Sequence, residues 1–415
     1  MYRSILAIYY VRGITVSDLL RSGILALPVL VEHLRETISR YREERHYMKL
    51  YYIANARMQT EMAHGIQIAK MCEAFAALGN EVTLVLPALG ARTDLFTAYG
   101  VQKNFRIHYL PALNLPLRLP GAFALLVFSF AIAVRVWLLK QRGEAVIYTR
   151  GETSLFIEPF LPRRYALVWE THIKPRSPMR YRRVAHRALA LIAVTKYYAD
   201  EIPALWGISS TKVLYAPDAV DVDDFLHPEP TVVARKRLCL SLDKKIALYA
   251  GRIDSWKGVD TLLEASELLP ENIQIVIIGG TEEQILQLRP RYPRVRFLGY
   301  RPYAELPDNQ SAADVLVLTG DPSSATARFY TSPLKLFTYM ASGIPIIVAD
   351  LPSFRDVLSE REVFFFEPNA TELAEAILFA IAHPEDASGR ASAARQKVQA
   401  FSWAERARAI SAFVV

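Results

Sequence analysis

The strongest constraint on this fold is a series of short β-rich runs set between helical stretches, which is written twice along the chain. In the first half the strand-like runs fall at 50–54, 81–86, 145–148, 167–169, 191–194 and 213–215, with helical periodicity between them, as at 66–78. After about residue 240 they fall at 246–250, 273–278, 295–298, 315–318 and 345–348, with helices at 259–268, 304–312 and 334–341. Near-continuous apolar runs belong to strands covered on both faces, so each half predicts a parallel sheet wrapped in helices. A Pro-bearing stretch, Leu226-His227-Pro228-Glu229-Pro230, joins the halves. The expected class is therefore α/β, with two Rossmann-like domains, 48–228 and 229–399, facing each other across a cleft.

Composition removes other classes. The 415 residues are 52% hydrophobic and 22% charged, which supports two or three cored domains and excludes disordered, collagenous or coiled-coil chains. Cys72 and Cys239 are too few for a disulfide framework, so a reducing cytoplasm is expected. These cysteines and eight scattered histidines have no metal-ligand spacing. The formal net charge of +7 favours anionic partners such as nucleotides or phospholipid headgroups. Nucleic acid is not expected, because no zinc motif or aromatic-interleaved basic strand accompanies the charge.

Three segments stand apart. Residues 1–47 hold two short apolar stretches and a mixed-charge run, and read as an extension outside the core, either an appended helix or an upstream mis-start. Residues 121–134 carry no charge, but Arg135 interrupts the run before it reaches the ~20 residues of a membrane span. A buried or interface-facing helix is expected there, with contact to a membrane surface as the second reading. Between 174 and 196 lie Lys174, Arg176, Arg180, Arg182, Arg183, Arg187 and Lys196 without an acid. Such a block is either a solvated face or a place for lipid headgroups or a pyrophosphate.

The chemistry concentrates in two segments. In Tyr249-Ala250-Gly251-Arg252-Ile253-Asp254-Ser255-Trp256-Lys257-Gly258 a strand ends at a glycine, and two cations precede a helix start. That puts Arg252 and Lys257 at the carboxyl edge of a parallel sheet, where such domains bind ligands and where two cations can neutralise a diphosphate. In the stretch from Thr331 to Val348, Ser332 suits an N-cap, Pro333 the first helical turn and Gly343 the C-cap. The amides at 332–334 are then expected to hold phosphate oxygens. Either segment could instead be an ordinary turn or helix–strand unit.

With these motifs in order, the chain from Met48 onward resembles the GT-B retaining glycosyltransferases of family four. Gly251-Arg252 with Lys257-Gly258 is similar to that family's Gly-Arg…Lys-Gly signature. Ala216-Pro217-Asp218-Ala219-Val220-Asp221 followed by Phe225 resembles the turn ending its first domain. Val295 to Tyr300, with Gly299, resembles the strand beside the nucleotide base, and Ser332 to Pro345 resembles the donor-binding helix. Phe401-Ser402-Trp403 resembles the aromatic turn that leads a last helix, 400–415, back to the first domain. In the first half, Glu61 to Gln67 resembles a loop whose glycine, Gly65, approaches the donor phosphates. Trp169-Glu170-Thr171-His172 resembles the family's Glu-x-His strand end.

The resemblance implies a nucleotide-diphosphate sugar as donor, with no separate cofactor and no metal. It implies His172, Arg252 and Lys257 as catalytic residues, with His64 as a further candidate. Gly65, Gly251, Gly299, Tyr300, Tyr330, Thr331, Ser332, Pro333, Leu334 and Thr338 are the implied donor-binding residues. Two family glutamates are replaced here, by Tyr330 and Thr338. A threonine cannot reproduce a carboxylate's paired hydrogen bonds to a ribose, and that loss is worth about 1.5–3 kcal/mol. The expected activity is transfer to a glycan or lipid-linked acceptor hydroxyl, in the cytoplasm or peripherally at the inner membrane face. The alternatives are a catalytically silent subunit of the same fold, favoured by Thr338, and a sugar-nucleotide epimerase, which lacks its carboxylates.

Overall fold

The computed structural model describes residues 48–56, 58, 63–89, 94–113, 122–172 and 178–414. The readings placed on 1–47, Glu61, Met62, Lys174 and Arg176 lie outside these residues. Strands β1 (Lys49–Ile53), β2 (Glu81–Pro87), β3 (Arg106–Leu110), β4 (Val146–Arg150), β5 (Ala166–Thr171), β6 (Ala190–Ala193) and β7 (Val213–Tyr215) form one sheet in the order 3-2-1-4-5-6-7. Strands β8 (Lys245–Ala250), β9 (Ile273–Ile278), β10 (Arg296–Gly299), β11 (Val315–Leu318), β12 (Ile346–Ala349) and β13 (Phe364–Phe366) form the second, in the order 10-9-8-11-12-13.

Every pairing within both sheets is parallel. Leu50 sits between Val82 and Val146, and Ala247 between Ile275 and Val315. In each sheet the first strand is central and the chain reverses direction between it and its fourth strand. That reversal opens a crevice at the carboxyl ends. Edge strands β3 and β13 escaped the sequence reading. The first alternates charge with apolar residues, and the second is three residues long.

Helices α1 (Ala63–Ala77), α2 (Ala122–Lys140), α3 (Pro178–Arg187), α4 (Lys196–Trp206), α5 (Val259–Leu268), α6 (Leu334–Ser342), α7 (Ala370–Ala382), α8 (Pro384–Lys397) and α9 (Trp403–Val414) cover the sheets. The chain crosses back to the first lobe where the Val220 amide donates to the Phe401 carbonyl at 3.0 Å. Trp403, Ala407 and Ile410 of α9 then bury in the core that also holds Ile68 and Cys72 of α1. Each such side chain contributes about 1.5–3 kcal/mol when large and fully buried.

Helix α2 is long and apolar enough by composition to cross a membrane, yet it lies along the first sheet. Phe130, Ala131, Val134 and Leu138 are buried in that sheet's core, and Trp137 meets Tyr51 edge-on at 4.7 Å. Its other face exposes Phe123, Leu125, Phe128, Ile132, Val136 and Leu139. The basic block that follows is partly consumed by structure. Arg183 and Arg187 both pair with the buried Glu158, at 3.1 and 3.3 Å, while Arg180 and Arg182 remain exposed.

Candidate functional site

Four segments at the carboxyl edge of the first sheet converge on one buried carboxylate. Glu170 is fully buried at the end of β5. Its oxygens accept from Gln67 of α1 at 2.6 Å, from the Tyr148 hydroxyl of β4, and from Arg406 of α9 at 3.3 Å. The same Gln67 amide donates to Asp218 at 2.7 Å, and its carbonyl oxygen accepts from Arg150. Arg406 also donates to the carbonyls of Pro217 and Ala216, at 2.7 and 3.2 Å, which clamps the turn after β7. The Glu170 carboxylate and the Arg406 guanidinium thus offset one another out of water. Stranding one member of such a set costs about 3–5 kcal/mol.

His172, two residues beyond Glu170, has both ring nitrogens occupied. Nε2 lies 2.5 Å from a Glu170 oxygen, and Nδ1 lies 3.1 Å from an Arg150 nitrogen. A carboxylate only accepts and a guanidinium only donates, so the proton resides on Nε2 and Nδ1 is the acceptor. Burial, then Arg150, push the imidazole down to about 4. Glu170 is held well below the carboxylate range by Arg406 and His172, despite the opposing effect of burial. His64 at the start of α1 is half-buried. Burial lowers its value, and so do Arg150 and Arg252, one cation from each lobe.

Across the cleft, Gly251 ends β8 and begins the cationic turn. Arg252 pairs with Asp254 at 2.9 Å and is 56% exposed, while Lys257 lies 3.5 Å from the same carboxylate and is 17% exposed. Burial lowers the Lys257 amine, followed by Arg252, against the pull of Asp254. The backbone here is pressed close. A Cβ on Gly279 would clash with the Gly251 carbonyl oxygen, so position 279 needs glycine. Gly299 completes the crevice edge, its carbonyl accepting from the Gly279 amide at 2.7 Å, and Tyr300 beside it is exposed.

The segment before α6 departs from its expected geometry. Helix α6 starts at Leu334 with Pro333 as an uncapped N-cap. The Ser332 hydroxyl leaves the helix and accepts from the Asp218 amide of the other lobe at 3.0 Å. Pro333 carries no N–H, so the first amides of the helix are those of Leu334 and Lys335, rather than 332–334. Leu334 is buried in the first lobe's core. Thr331, in extended conformation, links it to the π-helical turn Thr326–Tyr330.

Three of the expected donor residues make close contacts within the protein. Tyr330 is 6% exposed and donates to Glu201 of α4 at 2.9 Å, with its ring against Tyr197 and Tyr198, so it joins the lobes. Thr338 has no exposure. Its hydroxyl donates to the Lys335 carbonyl at 3.0 Å and accepts from Gln310 at 3.3 Å. Gly65 lies in the first turn of α1 under Tyr99, whose hydroxyl is 2.3 Å from where a Cβ would stand. That packing alone requires a glycine. Conversely, sequence reasoning passed over Arg150 and Arg406, whose charge at a strand end and in a late helix had no local signature.

The second lobe matches a family model over residues 233–397, described as glycosyl transferases group 1. A D-inositol 3-phosphate glycosyltransferase of Xylanimonas cellulosilytica is 29% identical over 237 residues, 53% of this chain and 55% of that protein. The putative teichuronic acid biosynthesis glycosyltransferase TuaC of Bacillus subtilis is 28% identical over 200 residues, 48% of each chain. The chain thus spans about half the length of these curated relatives. Among solved structures, Anabaena Alr3699/HepE in complex with UDP and glucose superposes with a TM-score of 0.70 at 17% identity, covering 88% of this chain and 99% of that one. At that identity the likeness establishes the two-sheet fold.

Proposed function

We propose that this chain, whose second lobe matches the group 1 glycosyl transferases and which has the GT-B fold, moves a sugar from a nucleotide-diphosphate donor to an acceptor hydroxyl with retention of configuration. The observation that carries this reading is the convergence of Arg252, Lys257 and the start of α6, whose Lys335 reaches Tyr249 and Gly251, at the carboxyl edge of the second sheet. As the glycosyl bond breaks, charge grows on the departing diphosphate. Fixed cations and amides in a partly dry crevice stabilise that charge more in the transition state than in the ground state.

The route is front-face displacement. The bond from the anomeric carbon to the acceptor oxygen forms as the bond to the phosphate oxygen breaks, and the acceptor proton passes to that phosphate oxygen. With its proton bound to Glu170 and its lone pair held by Arg150, His172 orients the sugar instead of accepting a proton. Arg252 and Lys257 do the neutralising that a divalent cation does elsewhere, so turnover is expected to survive chelator. Approach of the lobes excludes water from the crevice.

The acceptor belongs to the glycan or lipid-linked class, in envelope polysaccharide or glycolipid synthesis, presented at the cytoplasmic face of a membrane. The outward face of α2 supports that placement, since six large apolar side chains are exposed along one helix beside Arg135 and Lys140.

The test is a thermal-shift screen with UDP, GDP, ADP, CDP and dTDP, UDP first because the Anabaena structure holds it. A nucleotide at 100 times its Kd raises stability by about 2.7 kcal/mol. One nucleotide should shift the melting point, and Arg252→Ala should abolish both the shift and sugar transfer. Folded protein that no nucleotide shifts would favour the silent-subunit reading.

A further inference from the structure

Lys335 is the second residue of α6, and its side chain runs to the end of β8. Its side-chain nitrogen stands over the Tyr249 ring, 3.8 Å from the centroid, and 3.0 Å from where a Cβ on Gly251 would be. That nitrogen is sealed from solvent and has no hydrogen-bond partner among the described residues. From the β8 turn it meets the Tyr249 ring and the Gly251 backbone, and the charged groups that act on it are Lys257 and Asp254. Tyr339 of α6 ties that helix to the end of β8, its hydroxyl accepting from the Ala250 amide at 2.8 Å. Asp254 is shared by Arg252 and Lys257. Burial and then Lys257 push the Lys335 amine well below the ordinary lysine range, against Asp254.

A buried amine beside another cation, in the first turn of a helix, is a costly arrangement unless an anion joins it. An apolar side chain of the same length would fill the slot over Tyr249 without that cost. We propose that Lys335 is a third cation of the nucleotide-diphosphate site, its nitrogen held over Tyr249 beside Gly251 without a hydrogen-bond partner until the diphosphate enters. Because burial and Lys257 lower this amine, diphosphate binding draws a proton onto it from solvent. This inference rests on the donor-site reading above. It also accounts for Gly251, where any side chain would press on the amine and on the Tyr249 hydroxyl, 3.2 Å away, at the crevice edge. Charge of this kind is present only when there is a leaving group to hold, so the unliganded lobe is spared a buried like-charge pair.

The experiment is calorimetric titration of the full chain with UDP, GDP and ADP, and with the corresponding nucleosides. It is run at pH 8 in buffers of different ionisation enthalpy, for wild type and Lys335→Met. At that pH the nucleotide phosphates are ionised, so any proton taken up belongs to the protein. Wild type should take up a fraction of a proton per nucleotide bound, and affinity should fall as pH rises through the lysine's titration. Lys335→Met should weaken the diphosphate about 10- to 100-fold, leave the nucleoside unchanged, and take up measurably fewer protons. Lys257 also titrates, so the difference between the two proteins isolates Lys335. The unliganded variant should melt at or above wild type, which serves as the folding control. Equal diphosphate affinity and proton uptake in the variant would overturn the proposal, as would equal loss of nucleoside and diphosphate. Wild type that binds none of the three nucleotides would sink the donor-site reading itself, and this inference with it.

Discussion

The Tyr330 hydroxyl donates to the Glu201 carboxylate at 2.9 Å, binding the turn before α6 to α4 of the opposite lobe. Two further bonds share this seam. The Thr195 hydroxyl donates to the Phe329 carbonyl and the Lys196 amide to Asp356, both at 2.7 Å. A position that resembles a sugar-binding glutamate in sequence therefore works in this fold as a joint between lobes.

Restoring the glutamate there should harm the protein. In Tyr330→Glu a carboxylate faces Glu201 in a buried aromatic cluster, so like charge and desolvation both oppose folding. The expected outcome is a lower melting temperature with no tighter UDP binding. A gain in donor affinity would mean that the segment turns towards the crevice when ligand binds.

Thr338 should be indifferent to the nucleotide. Its hydroxyl is satisfied by Lys335 and Gln310 inside the lobe. Thr338→Val is expected to change stability by about 1 kcal/mol and the nucleotide Kd by less than about twofold. A tenfold loss of nucleotide affinity, measured by titration calorimetry, would assign the hydroxyl to the ribose after all.

The buried polar network sets opposite pH dependences. Asp218 is raised to about 7 by burial, above an unfolded value near 3.8. Its contribution is fully present below pH 3.8 and is lost as pH rises towards 7, on the order of 4 kcal/mol in all. Asp218→Asn mimics the protonated form. Its stability relative to wild type should therefore rise from pH 4 to 7 in urea titrations, and a flat difference would place the carboxylate in contact with water. His172 behaves the other way. Lowered to about 4, it stabilises the fold above pH 6.5, and that contribution fades as pH falls towards 4. Nitrogen NMR should find it neutral, protonated on Nε2, at pH 5.5.

The exposed face of α2 should bind anionic membranes. Wild type is expected to co-sediment in part with vesicles containing phosphatidylglycerol at low salt, and to release as salt screens the attraction. The double substitution Phe128→Asp with Ile132→Asp should remain in the supernatant without losing its melting point, because both side chains are exposed. Wild type recovered wholly in the supernatant would count against a membrane-borne acceptor.

The sequence by itself determined the two parallel sheets, most of their strands and the cationic turn at Gly251 to Gly258. Those features are written locally: apolar runs of strand length, a glycine where the backbone must turn, and Arg252 and Lys257 within six residues. Tertiary structure alone decided which side chains meet. Glu170 owes its ionised state to Arg406, 236 residues away, and Ser332 gives up its cap to an amide 114 residues away. Tyr330 and Thr338 hold the places of two ligand carboxylates yet point into packed interiors, a choice made by the neighbours available to each side chain. Periodicity is a property of neighbouring residues and survives in the sequence. Pairing across a cleft depends on where two sheets bring distant strand ends together, and no local pattern records it.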